Sequence, residues 1–294
     1  MRIGIDMPFT DAEGVPLDAA GVGEGARMVE DAGLDGIWIE DSMAPGHWHP
    51  DALQLLLAAA STTARLELGT AVYLLPIRNP VDIAHRVLTF QALSNDRLTL
   101  GVGVGDRPEA YESLDADYSD RFGTLYRDAE IIRALGRGET VGDANLMPWE
   151  KVKNSPRIAL GAGRNANALR LAATEYDGWI CSAGHTSLNT MKAELGRYRE
   201  LGGKRAIVAT IFTDLEDPRA EEFDADGRFD LRCPPEEAAR RLRLLADLGF
   251  DDALLVLSGG AGGRHGKGSG CSFEDLRRIR GLVEPDARPR PWRV

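Results

Sequence analysis

The sharpest chemical signal in this chain is the run Leu160-Gly161-Ala162-Gly163-Arg164-Asn165-Ala166, where glycines precede a helical pattern. The first turn of a helix leaves N–H groups unpaired, and glycines let the backbone approach an anion. Gly161, Ala162, Gly163 and Arg164 therefore form a candidate phosphate cradle. The helix end adds about 0.3–1 kcal/mol toward an anion, and Arg164 offers a charge-assisted hydrogen bond. A tight βα turn carrying a surface arginine has the same spacing, and the G-x-G-x-x-G dinucleotide pattern breaks at Ala166. A second glycine series, Leu100-Gly101-Val102-Gly103-Val104-Gly105-Asp106, alternates inside an apparent strand. It thins one face of a sheet, leaving room for a ligand or for close packing.

Asp41 and Asp106 each follow an apolar run and are candidate acid–base groups, a role that requires a pKa matched to the reaction. A loop acid capping backbone amides fits the same positions. His47-Trp48-His49 has no nearby acid or cysteine to complete a metal ligand set, so no metal site is expected. His47 is instead a candidate to touch a substrate or a cofactor ring. Arg78 either binds an anion or pairs with a barrel acid. Cys181, Cys233 and Cys271 are widely spaced, form no C-x-x-C pair, and read as reduced and structural.

These residues need elements to place them. Apolar β-like runs at residues 2–7, 36–40, 66–74, 97–104, 157–160, 178–182, 206–213 and 253–257 alternate with helical patterns. Asn79 and Pro80 mark one helix start, since asparagine caps free amides and proline suits the first helical position. Eight alternating units with short strands buried on both faces predict a single-domain α/β fold, a closed (β/α)8 barrel over residues 1–294. An open doubly wound sheet is the alternative. Residues 106–156 interrupt the alternation and are expected to form an insertion after the fourth strand, with one helix presenting Phe122, Leu125, Ala129, Ile132 and Leu135 on one face. Residues 259–270 are glycine-rich and read as a loop after the eighth strand. In such a barrel, ligands meet the loops at the C-terminal ends of the strands.

The chain has 294 residues and a formal net charge of −11. An acidic balance disfavours nucleic acid and anionic membrane surfaces as partners. Asp6 stands where a signal peptide needs an apolar core, and no apolar run approaches the roughly 20 residues of a membrane span. A cytoplasmic protein with a small-molecule substrate is expected.

The segment from Leu68 to Gly105, LGTAVYLLPIRNPVDIAHRVLTFQALSNDRLTLGVGVG, resembles the luciferase-like family of flavin- and deazaflavin-dependent oxidoreductases and monooxygenases. The turn from Ala159 to Gly163, followed by Asp177-Gly178-Trp179-Ile180, is similar to that family's second half. The resemblance implies a cofactor in the barrel mouth, coenzyme F420 or alternatively FMN, with its phosphate near Gly161 to Arg164. It places Asp41, Ala71, Val72, Val104 and Gly105 with the cradle as cofactor-binding residues. It also implies a non-proline cis peptide between Ala71 and Val72, and a homodimer. Deazaflavin members often carry an acid and a histidine after the second strand and a glutamate after the fourth. Here Asp41 matches the acid, Ser42 replaces the histidine and Asp106 replaces the glutamate.

The expected function is thus F420-dependent hydride transfer to or from a small organic substrate, with Asp106 and then His47 as acid–base candidates. An FMN-dependent monooxygenase using reduced flavin and oxygen is the alternative enzyme. A non-catalytic flavin-binding protein is the alternative of another class, and a phosphate-ester isomerase on the same barrel is a third possibility by fold analogy.

Overall fold

The computed structural model describes residues 1–7, 9–10, 15–43, 49–154, 156–163, 165–217, 224–257 and 273–283. His47, Arg164 and the glycine-rich stretch 259–270 lie outside them. The chain alternates β1 (Arg2–Asp6), α1 (Ala19–Asp31), β2 (Gly36–Ile39), α2 (Ala52–Ala60), β3 (Glu67–Thr70), β4 (Tyr73–Leu74), α3 (Pro80–Ser94) and β5 (Leu98–Gly103). Then follow α4 (Pro108–Glu112), α5 (Arg121–Gly136), β6 (Arg157–Gly161), α6 (Ala166–Thr174), β7 (Gly178–Ser182) and α7 (Leu188–Glu200). The last elements are β8 (Ala206–Asp214), β9 (Leu231–Arg232), α8 (Pro235–Leu248), β10 (Asp252–Leu257) and α9 (Phe273–Gly281).

Local chemistry sets the helix ends. The Asn79 side chain accepts hydrogen bonds from the amides of Val81 (2.9 Å) and Asp82 (3.2 Å), and Pro80 opens α3 as expected. Gly249, at φ +101°, closes α8 in the left-handed conformation that glycine adopts without a Cβ penalty. Among the described residues no helix is long and apolar enough to cross a membrane.

All the strand pairings of the sheet are parallel, and β10 pairs with both β1 and β8, so the sheet closes on itself as a (β/α)8 barrel. The run expected as one strand over 66–74 is two pieces, β3 and β4, separated at Ala71–Val72, where the peptide bond is cis. The stretch expected to hold a single helix between β5 and β6 also contains α4 and a short 3-10 turn at Glu150–Val152, and β9 adds a two-residue strand beside β8. In β8, Thr210 has φ +58° and the register with β10 shifts between Ala253 and Leu255, as at a β-bulge.

Inside the ring, Trp38, Ala159, Ile180, Ile207, Ala209 and Leu254 pack with Ala71 and Val72. Trp38 fits only because its neighbours lack side chains: a Cβ on Gly4 would lie 2.7 Å, and one on Gly69 2.2 Å, from the indole. Below this layer, at the N-terminal end, the buried Arg205 guanidinium holds Glu67 (2.8 and 2.9 Å) and Asp252 (2.5 Å), while Thr99 donates to Glu67 at 2.6 Å and Arg2 pairs with it at 2.5 Å. Burial pushes the Glu67 carboxyl up, but Arg205 and Arg2 outweigh it and hold the group far below the usual carboxylate range. The bottom of the barrel is plugged by charge, so its C-terminal end is the open one.

Candidate functional site

At that open end the strands β5 and β6 and the helices α5 and α6 enclose a cavity of about 470 Å³ lined by Val104, Phe122, Gly161, Ala162, Gly163, Asn165 and Ala168. Sites for small molecules and cofactors commonly span about 300–1,000 Å³. The cavity brings together Val104, Gly161, Ala162 and Gly163 among the residues expected to bind a cofactor.

The Gly161–Asn165 turn is held from behind. The Trp179 indole N–H donates to the Ala162 carbonyl at 2.7 Å, and the Ala162 amide donates to Ile180 at 3.1 Å. Asn165 caps α6 by accepting from the Ala168 amide at 3.1 Å. A Cβ on Gly163 would meet nothing within 4 Å, so this position faces open space. Gly161 has a second duty, because a Cβ there would sit 2.9 Å from Val72 Cγ1. The alternating glycines of β5 are likewise consumed by packing: a Cβ on Gly101 would lie 2.0 Å from the Thr70 carbonyl oxygen, and one on Gly103 2.4 Å from Val72 Cγ2. Val72 therefore rests over Gly103 and Gly161 inside the ring. Gly105, at φ +67°, ends β5 against Leu74.

Asp41 stands at the end of β2 but does not project freely into the mouth. Its side chain is tied to Arg78 at 2.7 Å and accepts from the Leu74 amide at 2.9 Å, and its own N–H donates to Val72 at 3.1 Å. Burial raises its carboxyl, partly offset by Arg78. Asp41 thus ties the end of β2 to the segment 72–78, and the anion partner of Arg78 is Asp41. Asp106 is exposed at the rim, where its carbonyl receives a long 3.5 Å contact from the Tyr118 hydroxyl. Tyr111 braces the same rim through its hydroxyl, which donates to the Val104 carbonyl at 2.5 Å.

Phe122 belongs to the apolar helix face expected within residues 106–156, and it is only partly buried and lines the cavity. Asp6 was not singled out in the sequence as an acid of the barrel interior. It lies at the end of β1 on the face of Gly4, which abuts Trp38 and Leu254 inside the ring, so strand alternation aims it into the mouth. Burial, and then the charge of Glu40, push its carboxyl well above the ordinary range. The available signal was the period of two from Gly4. On β7, Ser182 Oγ lies 3.0 Å from His185 Nδ1.

A closed parallel ring, plugged at one end and hollow beside a glycine turn at the other, defines a (β/α)8 barrel, a fold whose ligands generally meet the C-terminal face. The chain belongs to the luciferase-like monooxygenase family, whose sequence profile matches residues 1–211. It is 32% identical over 179 residues to the F420-dependent glucose-6-phosphate dehydrogenase of Amycolatopsis mediterranei (strain U-32), covering 55% of this chain and 53% of that relative. The chain therefore spans about half the length of the curated relatives it matches. The fold is shared with the coenzyme F420 dependent tetrahydromethanopterin reductase of Methanopyrus kandleri (TM-score 0.73, 14% identity, 95% of this chain and 97% of that one). It is also shared with the FMN-bound oxygenating constituent of 3,6-diketocamphane monooxygenase of Pseudomonas putida (TM-score 0.72, 17% identity, 97% and 98%).

Proposed function

We propose that the protein is a coenzyme F420-dependent oxidoreductase that moves a hydride between the deazaflavin and a small organic substrate. The observation that carries this reading is the cavity at the glycine turn in a chain similar to an F420-dependent dehydrogenase. The residues present fit the group. Gly163 borders the cavity with open space where a side chain would stand, Asn165 starts a helix whose first amides favour an anion, and Val104 and Phe122 give apolar walls. In this reading Gly161, Ala162, Gly163 and Arg164 hold the phosphate, Ala71, Val72, Val104 and Gly105 support the ring, and Asp41 keeps the segment 72–78 in place. The deazaflavin supplies the hydride chemistry when bound, and the chain supplies position, exclusion of water and a proton. The whole chain forms one barrel domain into which residues 106–156 are inserted, and it works in the cytoplasm as a homodimer.

The FMN-dependent monooxygenase reading is favoured by the description of the family itself. Fluorescence titration with F420 and with FMN separates the two, followed by turnover assays with glucose 6-phosphate and 2-propanol as probes. F420 binding with reduction of the cofactor by either probe supports the first reading. Tight FMN binding without F420 affinity reverses it, and binding of either cofactor without redox turnover favours the flavin-binding protein.

A further inference from the structure

Two residues that line the cavity, Ala162 and Gly163, share one peptide group, and the way that group faces decides what the glycine turn offers a ligand. The bond between them is trans, so the Ala162 C=O and the Gly163 N–H point in opposite directions. The carbonyl accepts from the Trp179 indole N–H at 2.7 Å. A buried indole N–H generally finds a partner; here the partner is the one carbonyl whose peptide group ends in the cavity. Trp179 is fully buried and stands behind the turn, packed against Tyr198 of α7 (5.4 Å between ring centres) and Phe250 (6.3 Å). Pinning the carbonyl on that side turns the Gly163 N–H to the other, toward the cavity. The rest of the turn is spent within the chain. The Ala162 N–H donates to Ile180 at 3.1 Å, the Gly163 carbonyl accepts from the Asn165 N–H at 2.7 Å, and Asn165 Oδ1 accepts from the Ala168 amide at 3.1 Å. Among the described residues the Gly163 N–H makes no hydrogen bond within the chain. What faces a ligand is therefore a donor, which suits an anion. Glycine alone does not hold this plane: a Cβ at 163 would meet nothing within 4 Å, and the residue's wide range of φ and ψ lets the peptide rotate. A rotated plane would present a carbonyl oxygen to the anion in place of the N–H.

We propose that Trp179 is a positioning residue of the anion seat: its indole N–H latches the Ala162–Gly163 peptide plane so that the Gly163 N–H stays aimed at the ligand. The proposal deepens the cofactor reading above and rests on it for the identity of the anion, the cofactor's phosphate. The latch also couples the two sides of the turn, because an anion on the N–H end of a peptide polarises its C=O and strengthens the hydrogen bond that the oxygen accepts.

The test compares the wild type with Trp179→Phe, which keeps an aromatic ring and removes the donor, and with Tyr198→Phe, which removes the hydroxyl bond to the Arg205 carbonyl (2.9 Å) behind the same indole. Each protein is titrated with F420, FMN and their phosphate-free forms, the bare deazaflavin chromophore and riboflavin. For the cofactor that the wild type binds, Trp179→Phe should weaken the phosphorylated form by about ten-fold or more, the size of one lost hydrogen bond to a charged group, and should leave the phosphate-free form within about two-fold. Tyr198→Phe should lower the melting temperature and keep the wild-type ratio of the two affinities. An unchanged ratio in Trp179→Phe, or an equal loss for both forms, overturns the latch. The cofactor-free wild type supplies a second measurement that needs no variant to fold, titration with inorganic phosphate followed by ¹H–¹⁵N NMR. The Gly163 amide and Trp179 indole resonances should move together on one saturation curve. A Gly163 amide that moves while the indole stays fixed overturns the latch, and phosphate that moves neither removes the anion seat and the latch with it. A protein that binds phosphate in the expected way but neither cofactor refutes the hydride-transfer reading and leaves the latch standing.

Discussion

What a glycine does is decided by where its missing Cβ would point. Gly163 opens onto the cavity, so Gly163→Ala should fold with stability within about 0.5 kcal/mol of wild type while crowding the anion cradle. A loss of roughly ten-fold in cofactor affinity, about 1.4 kcal/mol, with an unchanged melting temperature is expected in paired binding and calorimetric measurements. Asp128 makes a second single-residue case. It is only 8% exposed on α5, and burial pushes its carboxyl up to about 6. A folded-state pKa above the unfolded value means that the folded state holds a proton that the unfolded state has released. Stability therefore falls as the pH rises from about 4 to 6 and stays lower above that window. Asp128→Asn should stabilise the protein at pH 7.5 by on the order of 2 kcal/mol or less, seen as a raised melting temperature, and should leave it nearly unchanged at pH 4. Melts of the two proteins across that range check both the sign and the window. Gly163 was legible as part of a glycine turn but its opening onto a cavity was not, and Asp128 was readable only as a residue type, since neither a cavity nor a buried helix face is a local property.

Among the elements, those with local causes were legible. Asn79 and Pro80 announced α3, and the β-like runs anticipated the barrel strands to within a residue or two, because caps and apolar periodicity act over a single turn or strand. The break between β3 and β4 was anticipated only through the family resemblance, which placed a cis bond at Ala71–Val72. The short helix α4 was not legible, since five residues opened by Pro108 carry too little period to stand out from a loop. The glycines of β5 were legible as a thinned face, but which partner used the space was not. Thr70 and Val72 occupy it, from a strand about thirty residues away. Gly101→Ala would drive a Cβ against the Thr70 backbone oxygen, which cannot rotate away. It should cost about 3 kcal/mol or more, seen as a lowered urea midpoint, or should prevent soluble expression. In the ion pair between β2 and the segment after β4, Asp41→Asn strands the Arg78 charge in a buried setting. A loss of about 3–5 kcal/mol is expected, and recovery of much of it in Asp41→Asn combined with Arg78→Met would confirm that the unpaired charge is the cause.

Across the whole molecule, the barrel has a charged end and a hollow end, and this polarity gives the site its place. Arg2, Glu67, Thr99, Arg205 and Asp252 come from positions spread over the entire chain, and they converge because ring closure places β10 between β8 and β1. Arg205→Met should destabilise by about 3–5 kcal/mol in equilibrium denaturation, because it leaves Glu67 and Asp252 buried with Arg2 alone. A change below 1 kcal/mol would show that water reaches the plug. Residue order alone determined the alternation of strands and helices, the turn at Gly161–Gly163 and the acidic character of the chain, because each depends on neighbours within a few positions or on composition. Tertiary structure alone decided that Asp41 is spent on Arg78, that Phe122 lines the cavity, and that Val72 rests over Gly103 and Gly161. Those outcomes depend on which strands become neighbours and which face turns inward, and closure of the ring sets both.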